Sequence, residues 1–568
     1  MRQVRKALGV GVVLASLCLI RLATPQGGHV AWATTKGTLR VAVVGFDRES
    51  TAPWEGSTPM LPYIGNMYDP LIAADDQGQL SKEGLVTDWQ TNDAGDIVTL
   101  TLRSGVTFHN GEPLTAADVK FSFETWKEQT GGSPSLTGAA MRGILKRVEV
   151  INDQQVQVHL HSPNAIFPHL LSWVEGDLGI LPQHYFESLP GQTFEEKRNA
   201  FVKQPIGTGP WKFLSRNVGT SIEFAANPHY WDQRRIPQFA RLHILKVPEL
   251  STRMNMLRTA EADLVVVDSD GAKTLHREGL KLFVNRNVAH ALMVFYKCYD
   301  PEMVTHDVRF RKAAILALDR QAIVQALFPP IAPGIDALGA LSAGGPLTGP
   351  GVAGYDPNAP MYPYDPKEAR RLLQEMGYLK NPKTITANSF SFASLPEGPK
   401  FIEAITGYWE AVGIKVQIRQ VDATFVSKKL TAHPQGFEPP GEVGVQSPWY
   451  RPSGLNNYRV FAVSKPEITT EVEQARGLEA GGSLSGHCDL NKADTLYLDA
   501  LGIMDPEKLA AAVRQMNAAT YDDYWAIPLA SRSEPWAARP GIVSDWRPVP
   551  LGPVYLRFET ALPGPDVL

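Results

Sequence analysis

Three consecutive residues, Trp449-Tyr450-Arg451, set two stacking faces beside a guanidinium. Arginine pairs bidentately with carboxylate or phosphate and stacks on aromatic rings, so an anionic or aromatic ligand fits this chemistry. Ordinary loop packing with the arginine turned to solvent weighs the same. Gly486-His487-Cys488-Asp489 offers an imidazole, a thiol and a carboxylate in succession, but consecutive side chains rarely converge on one ion, and no metal site is expected there. Cys18 lies in an N-terminal leader, which leaves Cys298 and Cys488 as one possible pair, bridged or free. Acidic pairs such as Asp268 and Asp270 suit a glycosidase, yet a chain with 59 acidic residues supplies many such pairs. No G-x-S-x-G elbow, H-E-x-x-H helix or P-loop occurs. Gly349-x-Gly351-x-x-Gly354 has the form of a dinucleotide fingerprint, but no strand leads into it and no helix pattern leads out. The expectation is a protein that is not an enzyme, with no catalytic residue and no cofactor. A secreted peptide or glycoside hydrolase is the alternative.

These groups must be held by a large scaffold. A chain of 568 residues, 43% hydrophobic and 20% charged, is globular and long enough for several units. Its net charge of -4 gives no basic field for duplex nucleic acid, which is therefore not expected as a partner. Arg2, Arg5 and Lys6 precede the mostly apolar run Ala7 to Ile20, and Ala31-Trp32-Ala33 has the form of a cleavage site. That order is a secretory signal peptide over residues 1–33, too short for a membrane span. Cys18 follows Leu17 rather than a small residue, a poorly formed lipidation site, so a free, soluble mature protein is expected outside the cytoplasm.

The most informative stretch runs from Leu85 to Trp126. Val98, Leu100 and Leu102 alternate with polar residues, a strand with one buried face, after turn chemistry at Asn92-Asp93-Ala94-Gly95. Thr115 reads as an N-cap with Asp118 at N3, and Ala116, Val119, Phe123 and Trp126 fall on one helix face. Val148 to Leu160 reads as a hairpin about Asn152-Asp153. Asp365-Pro366 and Asp505-Pro506 each open a helix, with Ala369, Leu372, Leu373 and Met376 in the first stripe and Leu509, Val513 and Met516 in the second. A helix with Phe401, Ile405, Tyr408, Trp409 and Val412 ends at Gly413, and Ile414, Val416 and Ile418 alternate after it. Pro329 to Pro363 shows no periodicity and reads as a long loop.

The order Leu102-Arg103-Ser104-Gly105-Val106-Thr107-Phe108-His109-Asn110-Gly111-Glu112-Pro113-Leu114-Thr115-Ala116-Ala117-Asp118-Val119 resembles the signature of family 5 solute-binding proteins, the extracytoplasmic receptors of peptide, nickel and related ABC importers. Pro205-Ile206-Gly207-Thr208-Gly209-Pro210, Asn227-Pro228-His229-Tyr230-Trp231, Asp307 to Ala313, Ala317-Leu318-Asp319-Arg320 and Trp525 to Leu529 extend the resemblance. It implies an α/β, two-lobed periplasmic-binding-protein type II fold with an extra domain inserted in lobe I. Lobe I is expected over 34–290 with the insert at about 62–203, lobe II over 291–524, and a return to lobe I over 525–568. It also implies a monomer that closes on a small molecule or peptide and hands it to an ABC permease; a sensory receptor without transport uses the same fold.

By the same resemblance, the first mature strand leads to the mouth of the cleft, which makes Phe46 and Trp54 candidate ligand contacts. Phe390 joins them from Ala387-Asn388-Ser389-Phe390-Ser391-Phe392, where dipeptide receptors carry an arginine for the peptide carboxyl end and this chain has none. The loop Gly444 to Gly454 lacks the carboxylate that pairs with a peptide's amino end, and Trp449, Tyr450 and Arg451 stand there instead. Dipeptides are accordingly a poorer expectation than other cargo.

Overall fold

The computed structural model describes residues 37–46, 49–55, 60–75, 78–128, 136–296, 298, 300–331, 339–341, 347–391, 395–422, 442–448, 451–462, 488, 491–548 and 556–567. The leader read over 1–33, together with Trp449, Tyr450 and His487, lies outside them.

The strands in chain order are β1 (Thr38–Val43), β2 (Ala73–Ala74), β3 (Leu80–Ser81), β4 (Val86–Thr91), β5 (Ile97–Leu102), β6 (Leu145–Asn152), β7 (Gln155–Leu160), β8 (Trp211–Asn217), β9 (Ser221–Ala226) and β10 (Arg241–Lys246). They continue with β11 (Leu264–Val266), β12 (Lys281–Phe295), β13 (Gly339–Leu341), β14 (Ile385–Ser389), β15 (Val416–Gln420), β16 (Val443–Gln446), β17 (Ala526–Ala538), β18 (Val543–Asp545) and β19 (Leu562–Pro563).

One eleven-stranded sheet runs β15-β14-β16-β12-β17-β11-β1-β10-β9-β8, with β13 added to β17. Its centre is the antiparallel pair of long strands β12 and β17, which run together from Lys281 opposite Ala538 to Val294 opposite Ala526. At one end of this pair β12 takes up β16; at the other end β17 takes up β11. The chain therefore passes between two halves through two strands, whose register shifts at Asn285/Ala289 and again at Ala291/Leu292. A bulge bends a strand locally. These shifts lie between the part of β12 that pairs with β16 and the part of β17 that pairs with β11, where the sheet changes from one half of the two-lobed α/β molecule to the other.

The second sheet, β4-β5-β7-β6, is antiparallel throughout and carries the signature run. β5 alternates as its residues require, with Val98, Leu100 and Leu102 buried. The helix Ala116–Glu128 buries Ala116, Val119, Phe123 and Trp126 against it. The N3 half of the box-like cap is present, Asp118 Oδ2 accepting from the Thr115 N–H at 2.9 Å, while the Thr115 hydroxyl donates to the same oxygen at 2.8 Å. Asp118 Oδ1 accepts from the Gln183 N–H at 2.9 Å, so the carboxylate serves tertiary structure as well as the helix end.

The second half follows the capping signals. Asp365 Oδ1 accepts from Glu368 N at the start of the helix Pro366–Glu375, and Asp505 Oδ1 from Lys508 N before Pro506–Tyr521, each at 2.9 Å. Gly413 ends the helix Gly398–Val412 at φ 97°, a conformation that L side chains rarely adopt. One reading needs correction. The long loop after Pro329 contains β13, too short to show periodicity, which pairs with β17 from Gly339 opposite Arg532 to Leu341 opposite Ala530. The alternating Val416 and Ile418 do lie in a strand, β15, which is an outer strand of the sheet with Ile418 37% exposed.

Candidate functional site

The sequence landmarks serve the frame. His109 is locked to the Gly207-Thr208-Gly209 turn: its N–H donates to Gly207 O at 2.9 Å, Gly207 N–H donates to Nδ1 at 3.2 Å, and Nε2 meets Gly209 O at 3.0 Å. The ring therefore carries its proton on Nε2, and burial pushes its pKa down to about 4. Gly207 and Gly209 are required by closeness, since a Cβ would lie 2.2 Å from Met67 O at the first and 2.6 Å from Asn66 O at the second. Asp69, 2% exposed, then ties this turn to the next landmark, accepting from Thr208 Oγ1 at 2.9 Å, Tyr230 OH at 2.8 Å and Trp231 Nε1 at 3.0 Å. Burial raises the Asp69 pKa despite these donors. The signature residues thus hold one another.

Polar side chains gather instead where the two halves meet. The segment after the β4–β7 sheet carries His169, Ser172, Glu175 and Asp177; the segment after β16 carries Arg451, Ser453, Asn456, Asn457 and Arg459 on and before the helix Leu455–Phe461. Glu175 is 4% exposed and joins them. Its Oε1 accepts from the Ser453 N–H at 2.5 Å and its Oε2 from the Ser453 hydroxyl at 2.8 Å. His169 Nδ1 stands 3.1 Å from Oε1. Although burial works to raise the Glu175 pKa, His169 and the Ser453 donors bring it below the ordinary carboxylate value. A second link lies nearby, Ala165 N–H to Leu501 O at 2.8 Å.

Arg451 is 2% exposed, so the reading of a solvent-facing arginine is set aside. Its Nη1 donates to Asn457 Oδ1 at 3.3 Å, and its guanidinium lies 6.0 Å from the Phe461 ring centre. Burial first, then the like charge of Arg459, pushes its pKa down to about 9, against the pull of Glu175 and Asp177. A separate buried ion pair ties β17 to the start of the helix Gly398–Val412: Arg532 Nε to Glu397 Oε2 at 3.0 Å, with Glu534 Oε1 3.9 Å from Arg532 Nη1. Burial raises the Glu534 pKa, and Trp536 Nε1 donates to its Oε2 at 2.9 Å.

The candidate aromatics have different surroundings. Phe46 is buried edge-to-face on Tyr63, ring centres 5.5 Å apart, and its carbonyl accepts from the Tyr63 hydroxyl at 3.2 Å. Trp54 is enclosed by Phe186, Phe194 and Phe201 at 5.8, 5.7 and 5.7 Å. Phe390 is buried just after β14, and its carbonyl is approached so closely by Gly398 that a Cβ there would lie 2.3 Å away. Of the described candidates, Arg451 is the one whose charge acts at the junction of Glu175 and Arg459. Pro448, the last described residue before Trp449, reaches β12, since the His290 N–H donates to its carbonyl at 2.7 Å. Cys298 and Cys488 are joined in a disulfide across 190 residues of chain, Cα atoms 4.7 Å apart.

Sequence reasoning missed Glu175, Ser453, Asn456, Arg459 and Asn388. The buried Asn388 amide, at 0% exposure, has no hydrogen-bond partner on either atom. Only the density of polar residues in Arg451-Pro452-Ser453-Gly454-Leu455-Asn456-Asn457-Tyr458-Arg459 hinted at this part of the site. An open cavity of about 760 Å³ lies elsewhere, lined by Glu49, Glu55, Arg198 and Arg216 among others. Four of its charges are paired internally, Arg198 with Glu55 and Arg216 with Glu49, the latter at 3.2 Å. Among the described residues no cluster of three or more His, Cys, Asp or Glu is placed to hold a metal ion. No described helix is long and apolar enough to cross a membrane.

Comparison with known proteins places this architecture. The chain is 28% identical to heme-binding protein A of Haemophilus influenzae over 349 residues, 58% of this chain and 60% of that one. It is 29% identical to a probable di/tripeptide-binding protein of Pseudomonas aeruginosa over 299 residues, 50% of this chain and 54% of that one. The matched stretches thus span less than two thirds of these relatives' own length. A dipeptide-binding protein from Pseudoalteromonas in complex with Met-Leu shares the fold at a TM-score of 0.76 and 20% identity, over 93% of this chain and 100% of that one. NikZ of Campylobacter jejuni in complex with Ni(L-His) does so at 0.74 and 20% identity, over 92% and 99%. The family description of bacterial extracellular solute-binding proteins, family 5 (middle), matches residues 82–438, more than half of the sequence, and the chain belongs to that family.

Proposed function

We propose that this protein is an extracytoplasmic receptor that captures a peptide or similar small solute by closing two lobes and presents it to an ABC permease, with no bond made or broken. In this reading lobe I spans about 34–290 with an insert at about 62–203, lobe II spans 291–524, and 525–568 returns to lobe I. Residues 1–33 act as a cleaved export signal. The ligand lies between the lobes, near Phe46, Phe390, Trp449, Tyr450 and Arg451, with Trp54 as support for the cleft mouth.

The observation that carries the reading is the buried junction of Glu175 with Ser453 over a two-strand hinge. Hydrogen bonds to an ionised, desolvated carboxylate form only when the halves are together, so they favour a closed form that a ligand further populates. The similar proteins are named for heme, di/tripeptides and a nickel–histidine complex. Cargo is therefore set by the side chains in the cleft rather than by the frame.

Small-angle scattering of the protein, stripped by unfolding and refolding and then titrated with a periplasmic small-molecule extract, tests this. The expected result is a saturable fall in radius of gyration and a co-purifying mass in native mass spectrometry. Saturable binding with an unchanged radius would remove the closure step, and turnover of peptides or glycosides would replace the reading with a hydrolase.

A further inference from the structure

The helix Leu455–Phe461 is buried along its whole length, yet it carries a cation and two amides. Arg459 is 2% exposed and Asn456 0%. The Arg459 Nε–H donates to Asn456 Oδ1 at 2.7 Å, which fixes the two side chains against each other. Arg459 Nη1 and Asn456 Nδ2 are both buried with no acceptor. Across the junction Ser172 Oγ, on a residue 1% exposed, is also without a partner.

The charges around Arg459 do not satisfy it. Among the described residues it forms no ion pair. Tyr497, Asp177 and Glu175 act on it only at a distance, and both Glu175 oxygens are engaged by Ser453. Arg451 adds a second buried positive charge. Buried donors in native proteins are nearly always partnered, and a buried unpaired cation is costly, so a donor-only pair of this kind calls for an acceptor from outside. Guanidinium and carboxamide N–H groups offer hydrogens and no lone pair at these atoms, which rejects a cationic or amide-donor group. A planar oxyanion matches the flat guanidinium best.

We infer that Arg459 and Asn456 form a buried oxyanion subsite, and that the solute places a carboxylate against them. The inference rests on the receptor reading and names the chemical class of its cargo.

Thermal unfolding of the full chain with acetate, acetamide or inorganic phosphate, at ionic strength held constant with chloride, tests it. Acetate should raise the unfolding temperature saturably, acetamide and phosphate should not, and Arg459→Met should abolish the shift. Asn456→Ala should weaken the apparent acetate affinity at least three-fold. Ligand-free Arg459→Met should melt no lower than wild type, since it removes an unpaired buried charge; a clearly lower melting temperature would mark Arg459 as structural and overturn the inference. It is also overturned if acetate acts no more strongly than acetamide, if its effect survives Arg459→Met or is untouched by Asn456→Ala, or if phosphate acts more strongly than acetate. Failure of lobe closure in the scattering experiment would leave acetate capture standing, so the two proposals fail separately.

Discussion

The Glu175 carboxylate receives both the backbone N–H and the hydroxyl of Ser453, at 2.5 and 2.8 Å, from a point 278 residues further along the chain. Both residues are buried, and they join the segment after the β4–β7 sheet to the segment after β16. Glu175→Gln removes the charge and one of the two acceptors. Hydrogen bonds to charged groups contribute about 1.5–3 kcal/mol, so the closed form should weaken by roughly 2 kcal/mol. Solute binding measured by calorimetry should loosen about 30-fold, while urea unfolding of the first lobe changes little.

Trp54 is packed by three phenylalanines. Trp54→Ala should destabilise the protein by about 3–5 kcal/mol in urea unfolding, the usual cost of a large aromatic truncation in a core. Arg451→Ala tests the loop more directly: solute affinity should fall with the unfolding midpoint within a few degrees of wild type.

How much of this was legible in the residues can be judged from particular elements. The strand of Val98, Leu100 and Leu102, the capped helices at Asp365 and Asp505, and the stop at Gly413 were readable because each is fixed by local periodicity or a backbone requirement. The second task of Asp118 was not, because the Gln183 N–H that its Oδ1 accepts from comes from 65 residues away in the chain. β13 escaped notice because its pairing to β17 is a long-range event in a Pro/Gly-rich stretch. The polar junction was the least legible part. Glu175 and Ser453 look like ordinary surface residues until folding buries them together, whereas His109 and Gly207 resemble a functional motif and prove to be a staple.

That staple has a pH signature. The folded His109 pKa is about 4, below the 6.5 of a free imidazole. Its contribution is therefore fully present above pH 6.5 and is lost as pH falls toward 4, because the unfolded chain binds the proton first. The loss is on the order of 2 kcal/mol, smaller than the full shift implies because residue His109 is half-buried rather than fully enclosed. Urea unfolding at a series of pH values checks it: His109→Gln should flatten the acid limb over that window.

The disulfide of Cys298 and Cys488 closes a 190-residue separation. Cys298→Ser with Cys488→Ser should lower stability by about 2–5 kcal/mol, as loss of a native bridge does, and reductant should lower the wild-type unfolding midpoint but leave that of the double variant unchanged.

The central claim is that two halves open and close on β12 and β17. Spin labels at the exposed positions Ile151 and Met361, 50% and 46% accessible and one in each half, report it directly by pulsed electron resonance. The account predicts a short distance that lengthens in Glu175→Gln under identical conditions and shortens again with saturating solute. One distance, unchanged by that substitution and by solute, would contradict it.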